Sequence, residues 1–454
     1  MTNVVSLQDV LPDESVITDP DRMEGFRRDS ADTAAAGHPL AVVTAASTEQ
    51  VSATLAWADA HRVPVVPRGA GSGLSGGASA VDGCIVLSTA AMGDIVEIAG
   101  DDLYAVVQPG VLNGALGRAA ADHGLFYPPD PSSFEMSSIG GNLATNAGGF
   151  RCLKYGVTRD SVLGLQVVLA DGSVIRTGGR TVKNVVGYDL TSLFVGSEGT
   201  LGVITEATLR LRPAPPHPSA TFVATFPTLP AAGAAVAALV RSGMGPSLLE
   251  LMDRASIGMV EDFRPMGLDR SSAALLVGQA DTPTAAADVH AMAQIATAHG
   301  ADFATSSTDP VEAGMLLEAR RLHYWAAEAK GRVLSEDIGV PRSRLAELLA
   351  GIDAVAERSG LSIATVGHAG DGNMHPAIVV SRDDPGELAR AQSAADDICR
   401  LALALGGTLS GEHGIGTLKK QWLPLQFDPP THAAHRRVKA AFDPNGILNP
   451  GKAL

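Results

Sequence analysis

The chain is short of cysteine, of basic charge and of long apolar runs, and each shortage removes a class of function. Cys84, Cys152 and Cys399 are the only cysteines in 454 residues. They are too few and too scattered for a disulfide framework or a thiolate metal centre. All three read as small buried apolar residues. Acidic residues outnumber basic ones, so the formal net charge is −15 and the pI is near 5.2. Such a chain has no electrostatic reason to dock on nucleic acid or anionic lipid. The opening MTNVVSLQDVLPDESVITDPDRM lacks the basic and apolar regions of a secretory signal. The apolar stretch AAGAAVAALV covers about ten residues, where about 20 are needed to span a bilayer. Cytoplasmic residence is expected, with membrane contact peripheral at most.

What is present is a hydrophobic content of 45% against 18% charged residues, enough to bury a large core in two or three units. Between residues 40 and 110, the runs VPVVPRG, GCIVLST, IVEIAG and LYAVVQPG are divided by Gly and Pro, with one helical stretch, TEQVSATLAWADAHR. Few helices among many short strands predict an α+β sheet domain. SVLGLQVVLADGSVIRT carries a hairpin signal at Asp171-Gly172, and RPAPPHP at 212–218 marks a domain boundary. Beyond it come strand TFVATF, helix 228–242, strand LLELMD, strand AALLVGQA, helix 284–299 and strand DFATS. Two β-α-β units in series predict a ferredoxin-like plait. Helices near 309–331, 342–359 and 385–405 extend it. The expected division is 1–218, 219–405 and a C-terminal segment 406–454.

The loop VPRGAGSGLSGGA matches G-x-G-x-x-G at Gly71, Gly73 and Gly76. A dinucleotide fingerprint needs a helix to open inside the glycine run, so that its amides hold a pyrophosphate. Here ASAVDGCIVLST follows, which reads as a turn and a strand. Asp94 and Glu97 lie at the distance of a ribose-binding acid, but distance alone is weak evidence. The better reading is a nest of backbone N–H groups for an anion, with Arg68 as a cationic edge; a plain glycine-rich turn is the alternative. YPPDPSS, SSIGGNLATNAGG, CLKYG and GSEGTLGVITEA repeat the combination of glycine with Ser, Thr and Asn. Together they imply one large elongated ligand.

These segments, in this order, resemble the FAD-linked oxidoreductases of the vanillyl-alcohol-oxidase type (PCMH-type FAD-binding fold), and within it the branch of glycolate oxidase flavoprotein subunits and D-lactate dehydrogenases. The resemblance covers roughly residues 40 to 454. It implies a PCMH-type FAD-binding domain at about 38–215, a ferredoxin-like α/β cap domain for substrate, and a C-terminal segment that returns to the flavin domain. FAD contacts are implied for Arg68, Gly69, Ala70, Gly71, Ser72, Gly73 and Leu74, then for Pro129, Asp130 and Ser133. Further contacts fall on Ser138, Gly140, Gly141, Asn142, Thr145, Asn146, Gly148, Gly149 and Tyr155, and on Glu198, Gly199, Gly202, Val203, Ile204 and Asn449. Many relatives attach FAD through a His in the glycine loop. This loop has Gly71-Ser72-Gly73 there, so noncovalent FAD is expected.

VGHAGDGNMHP and LSGEHGIG carry the second constellation. His368 and His375 would face opposite ways on one continuous strand, but the GDGN turn folds the chain back and brings both imidazoles together. Glu412 and His413 lie on a glycine-flanked loop. Two His and one carboxylate form a usual ligand set for a divalent transition metal with an open position; core or surface histidines are the alternative. The resemblance makes His368, His375 and Glu412 metal ligands, with Zn first and Mn or Fe as alternatives. It places His413 beside the flavin as the catalytic residue. Arg320 falls where a substrate-carboxylate arginine is expected, with Tyr324 one turn on and Arg321 left to solvent.

The expected activity is oxidation of a small D-2-hydroxy acid, D-lactate or glycolate, to the 2-oxo acid. The electron acceptor would be a quinone, cytochrome, electron-transfer protein, iron–sulfur subunit or oxygen. D-2-hydroxyglutarate as substrate, a subunit active only within a glycolate-oxidase-like complex, and a nicotinamide dehydrogenase are the alternatives. A homodimer is left open.

Overall fold

The structure, a computed structural model, describes residues 5–454. The chain divides into two compact units. The first comprises residues up to Gly148, Gly156–Ala214 and Glu412–Leu454, and the second Gly149–Tyr155 and Pro215–Gly411. Residues 1–4 of the expected first domain lie outside the described residues.

Among its described residues the first unit holds two main sheets and a two-stranded pair, Leu125–Phe126 with Arg212–Pro213. One has four strands in the order Val16–Ile17, Ala41–Thr44, Ile85–Ser88, Val65–Arg68, and its last two pairings are parallel. The other is antiparallel, in the order Ile95–Ala99, Tyr104–Val107, Val203–Arg210, Val162–Val168, Val174–Gly178. The expected hairpin is the Val162–Val168/Val174–Gly178 pair, turning with Gly172 at φ +84°. Helix Thr48–His61 starts at Ser47, whose side chain accepts from Gln50 N. Its Val51, Leu55 and Ala58 share one core with Val43, Val65 and Ile85 of the first sheet and Val168 and Val203 of the second. The residues following Asp443 also close on this unit: Val65 N donates to Ile447 O, and Asn449 N donates to Val65 O.

The second unit is built on an antiparallel sheet. Its order is Phe303–Ser307, Ala220–Phe226, Ala274–Ala280, Leu248–Asp253, Ser362–His368, Asn373–Val380, Arg332–Ser335. The first four strands, with helices Leu229–Arg241 and Ala285–Ala298, form the expected plait. Helix Arg254–Phe263, inserted between its second and third strands, is not apparent from the sequence pattern. Strands Leu248–Asp253, Ala274–Ala280 and Asn373–Val380 are buried at every position, as covering of both faces requires. One face packs on helices Arg254–Phe263 and Pro310–Lys330 through Met252, Val277, Val366, Ala377 and Val379. Asp309 and Pro310 start the second of these helices. The sheet retains residues 406–411 as well, because Gly339 and Thr408 pair across an isolated bridge.

One expectation about cysteine is corrected. Cys84 and Cys399 are buried, but Cys152 is half-buried. It sits on the four-residue helix Cys152–Tyr155, which is too short to bury a face of its own.

Candidate active site

In the first unit, strand Val65–Arg68 runs directly into the glycine loop, and no helix intervenes before Ile85. Gly71 has φ +76°, and a Cβ there would stand 2.2 Å from Arg68 Nη2, so the position requires glycine. Arg68 donates to the carbonyls of Arg28 (2.8 Å) and Gly25 (3.5 Å). Asp29 accepts from Ala78 N and from Ser79 Oγ, and burial raises its pKa against those donors. Lys452 donates to the carbonyls of Gly77 (3.2 Å) and Ser79 (2.5 Å), and Asn449 donates to those of Gly77 (3.0 Å) and Glu198 (2.7 Å). Burial pushes the Lys452 ammonium down to about 8, against the opposing pull of Asp29, Cys84 and Glu198.

Ser138 caps helix Ile139–Thr145; its Oγ accepts from Gly141 N (3.3 Å) and from Ala70 N (3.2 Å), so one hydroxyl joins two of the glycine segments. Thr145 Oγ1 donates to Gly141 O, and Asn146 Oδ1 accepts from Arg159 N, so these two side chains are used locally. Pro129 O accepts from Asn113 Nδ2. Glu198 is buried and accepts from Ile415 N and Gly416 N, each at 2.8 Å. It thereby fixes the backbone just after Glu412-His413, and burial raises its pKa.

Among the described residues, the amides of Gly71 to Gly77 find no protein acceptor, and the buried Ser137 Oγ and Asn142 Nδ2 have no partner. Undirected N–H groups close to orphaned buried polar atoms fit an elongated anionic ligand of the FAD kind. Tyr155, read as a flavin contact, has its hydroxyl 2.5 Å from Asp281 in the second unit, where Lys154 also pairs with Asp281.

In the second unit, the hairpin Ser362–His368/Asn373–Val380 folds at GDGN as expected. Gly372 turns it at φ +77°, where a Cβ would stand 2.2 Å from Val340 O. His375 is the cross-strand partner of Val366, and His368 that of Glu250. Strand alternation therefore puts Glu250, His368 and His375 on the sheet face that carries Met252 and Val366, under helix Pro310–Lys330. The two imidazole centroids are 5.1 Å apart, and a ring nitrogen of each lies within 4.8 Å of the other. Both residues are buried.

Glu250 Oε1 is 2.7 Å from His368 Nδ1. That contact fixes the Nδ1–H tautomer and makes Nε2 the lone-pair nitrogen, the usual preparation of a histidine ligand. The other oxygen, Oε2, stands 2.9 Å from Arg320 Nε, an ion pair whose angle falls outside hydrogen-bond alignment. Arg320 Nη2 is buried and has no partner. Its guanidinium and that of Arg321 lie over the Phe150 ring, at 5.4 and 5.2 Å. Arg321 is exposed, as expected, while Tyr324 packs half-buried against the apolar core. Asp337 is buried, accepts from Asn373 Nδ2 (2.8 Å) and Ser410 Oγ (2.7 Å), and lies 3.5 Å from His375 Nδ1. Buried imidazoles backed by carboxylates have the donor chemistry of a divalent metal site.

Glu412 and His413, both half-buried, follow Gly411 and open the segment belonging to the first unit. The sequence reading missed Glu250, Asp337 as a partner of the histidines, and His323. Glu250 sits in an apolar strand run, LLELMD, where an acid signals only that something must pair with it.

Two sequence families match the chain: "FAD binding domain" over residues 39–178 and "FAD linked oxidases, C-terminal domain" over residues 215–453. The chain is 43% identical over 417 residues to glycolate oxidase subunit GlcD of Bacillus subtilis, covering 91% of this chain and 88% of that protein. It is 41% identical over 427 residues to the GlcD subunit of Escherichia coli, covering 92% and 84%. It is 38% identical over 422 residues to a D-lactate dehydrogenase of Archaeoglobus fulgidus, covering 92% of each. Among solved structures, p-cresol methylhydroxylase with substrate bound shares the fold, with a TM-score of 0.81 at 20% identity over 99% of this chain and 96% of that one. Among the described residues, no helix is long and apolar enough to cross a membrane. With both of its halves matched, the chain belongs to the FAD-linked oxidases of the vanillyl-alcohol-oxidase type, and it is an FAD-linked oxidoreductase of the glycolate oxidase and D-lactate dehydrogenase kind.

Proposed function

We propose that this protein oxidises short D-2-hydroxy acids such as glycolate or D-lactate to the 2-oxo acids. The observation that carries the reading is Arg320 Nη2, a buried guanidinium nitrogen without a partner in the same cluster as His368 and His375. An orphaned buried donor of this kind suits a substrate carboxylate. Arg320 binds the carboxylate, and Glu250 and the Phe150 ring hold the guanidinium in place. His413 takes the hydroxyl proton, a task for which imidazole is suited near neutral pH. His368, His375 and Glu412 would hold a divalent ion, which when bound supplies Lewis acidity toward the substrate hydroxyl. FAD, held noncovalently in the first unit, supplies the hydride acceptor. The relatives named glycolate oxidase subunit and D-lactate dehydrogenase support this substrate class. Reoxidation falls to a quinone, cytochrome, electron-transfer protein or iron–sulfur subunit. The test is anaerobic mixing of the yellow protein with glycolate, D-lactate and L-lactate. Bleaching of the flavin band by the first two is expected; a flavin that stays oxidised with every 2-hydroxy acid would reject the reading.

A further inference from the structure

His323 lies three residues beyond Arg320 on helix Pro310–Lys330, so both side chains leave the same helical face. That face includes the buried Ala319, Ala326 and Ala327 and covers the sheet that carries His375. His323 is 4% exposed, and neither ring nitrogen has a hydrogen-bond partner. Burial drives its pKa down to about 3, with the charge of Arg320 adding to the effect. The ring is therefore neutral and carries one N–H donor and one lone pair. Apolar packing uses neither, and an alanine or leucine would fill the same core without stranding two polar atoms. The small cross-strand pair Ser335 and Ala377 lies on the sheet face under this helix and brings no charge to it.

We propose that His323 is a specificity-determining residue that hydrogen-bonds an uncharged polar substituent on C3 of the substrate, so that the preferred class is the short 2-hydroxy acids bearing a C3 hydroxyl. The proposal rests on Arg320 as the carboxylate anchor. Side chains one helical turn apart then serve the two ends of a three-carbon acid, the guanidinium at C1 and the imidazole at C3. A site built to pair a substrate hydroxyl penalises the analogue that lacks it, because the site's own polar group is left unpaired.

The test compares D-glycerate with D-lactate, which differ only by the C3 hydroxyl, using a dye acceptor and the purified holoenzyme. Wild type should favour D-glycerate in kcat/KM by about tenfold to a hundredfold. In His323→Leu the ratio should fall toward one, chiefly through KM for D-glycerate. His323→Gln, which keeps a donor and an acceptor, should retain part of the preference. A wild-type ratio near one overturns the proposal and marks the imidazole as packing satisfied by buried water. A high ratio that survives in the leucine and glutamine variants overturns it too, because another group then reads the hydroxyl. If the leucine variant does not fold, the wild-type ratio and the glutamine variant still decide. Failure of both acids to reduce the flavin would instead remove the Arg320 reading on which the proposal stands.

Discussion

Glu250 and His368 are direct partners across neighbouring antiparallel strands, and their side chains meet at 2.7 Å. The same carboxylate faces Arg320 with its other oxygen, so one buried acid orients both an imidazole and a guanidinium. Glu250→Gln keeps the shape and removes the charge. Leaving Arg320 buried without its counter-charge should cost about 3–5 kcal/mol of stability. Loss of the oriented Nδ1–H should weaken metal retention about tenfold to a hundredfold. Thermal melting and metal content of the purified variant check both; unchanged values in the two assays would show that Glu250 is dispensable.

Flavin attachment is predicted from Gly71-Ser72-Gly73, where the loop has no imidazole or thiol to form a bond. Acid precipitation of the yellow protein should release all flavin to the supernatant. Colour retained in the washed pellet would contradict noncovalent binding.

Metal dependence follows from the paired imidazoles. Chelation, or His375→Ala, should abolish turnover and leave the flavin absorbance in place, because the ion is assigned to the substrate and the glycine segments to FAD. Full activity in protein shown to be metal-free by elemental analysis would refute the assignment.

On the proposed reading, substrate charge would be selected near the end of strand Arg332–Ser335. Ser335 and Ala377 are cross-strand partners, and the next two residues, Glu336 and Asp337, are buried acids. Lys330 is held by Asp262 at 2.6 Å. A second substrate carboxylate here would be desolvated beside acids, costing several kcal/mol. At about 1.4 kcal/mol per tenfold, a hundredfold preference for monocarboxylates over D-2-hydroxyglutarate is a lower estimate. A comparison of kcat/KM for glycolate, D-lactate and D-2-hydroxyglutarate tests it, and a preference for the dicarboxylate would reveal a cation in the pocket.

Lys452 supplies a pH signature. Its folded pKa of about 8 lies below the ordinary 10.5, so between these values the unfolded chain binds the extra proton. Stability should therefore rise with pH across that window, by up to about 1.4 kcal/mol per pH unit from this group. The difference between wild type and Lys452→Met in denaturant midpoint, measured from pH 7.5 to 10.5, isolates it. A flat difference would mean that the ammonium is not desolvated.

Strand alternation, the Pro-rich break and the GDGN turn made the plait and the histidine hairpin legible, because each depends on local chemistry. Helix Ile139–Thr145 escaped notice because Gly140 and Gly141 argue against a helix, while its Ser138 cap was present in the sequence. Glu250 could not be found by spacing: its partners lie 70 and 118 positions away and meet it only across the sheet and the covering helix. Asn449 is visible as a residue near a Pro-Gly break, but its work on the Gly77 and Glu198 carbonyls depends on the fold closing.

That closure has a consequence for biosynthesis. The ammonium that holds Gly77 O is 375 positions further along the chain, so a ribosome completes the whole second unit before the glycine loop receives its clasp. A nascent chain therefore carries this loop unfastened, and stable cofactor capture belongs to the time after residues 449–452 have emerged and folded back.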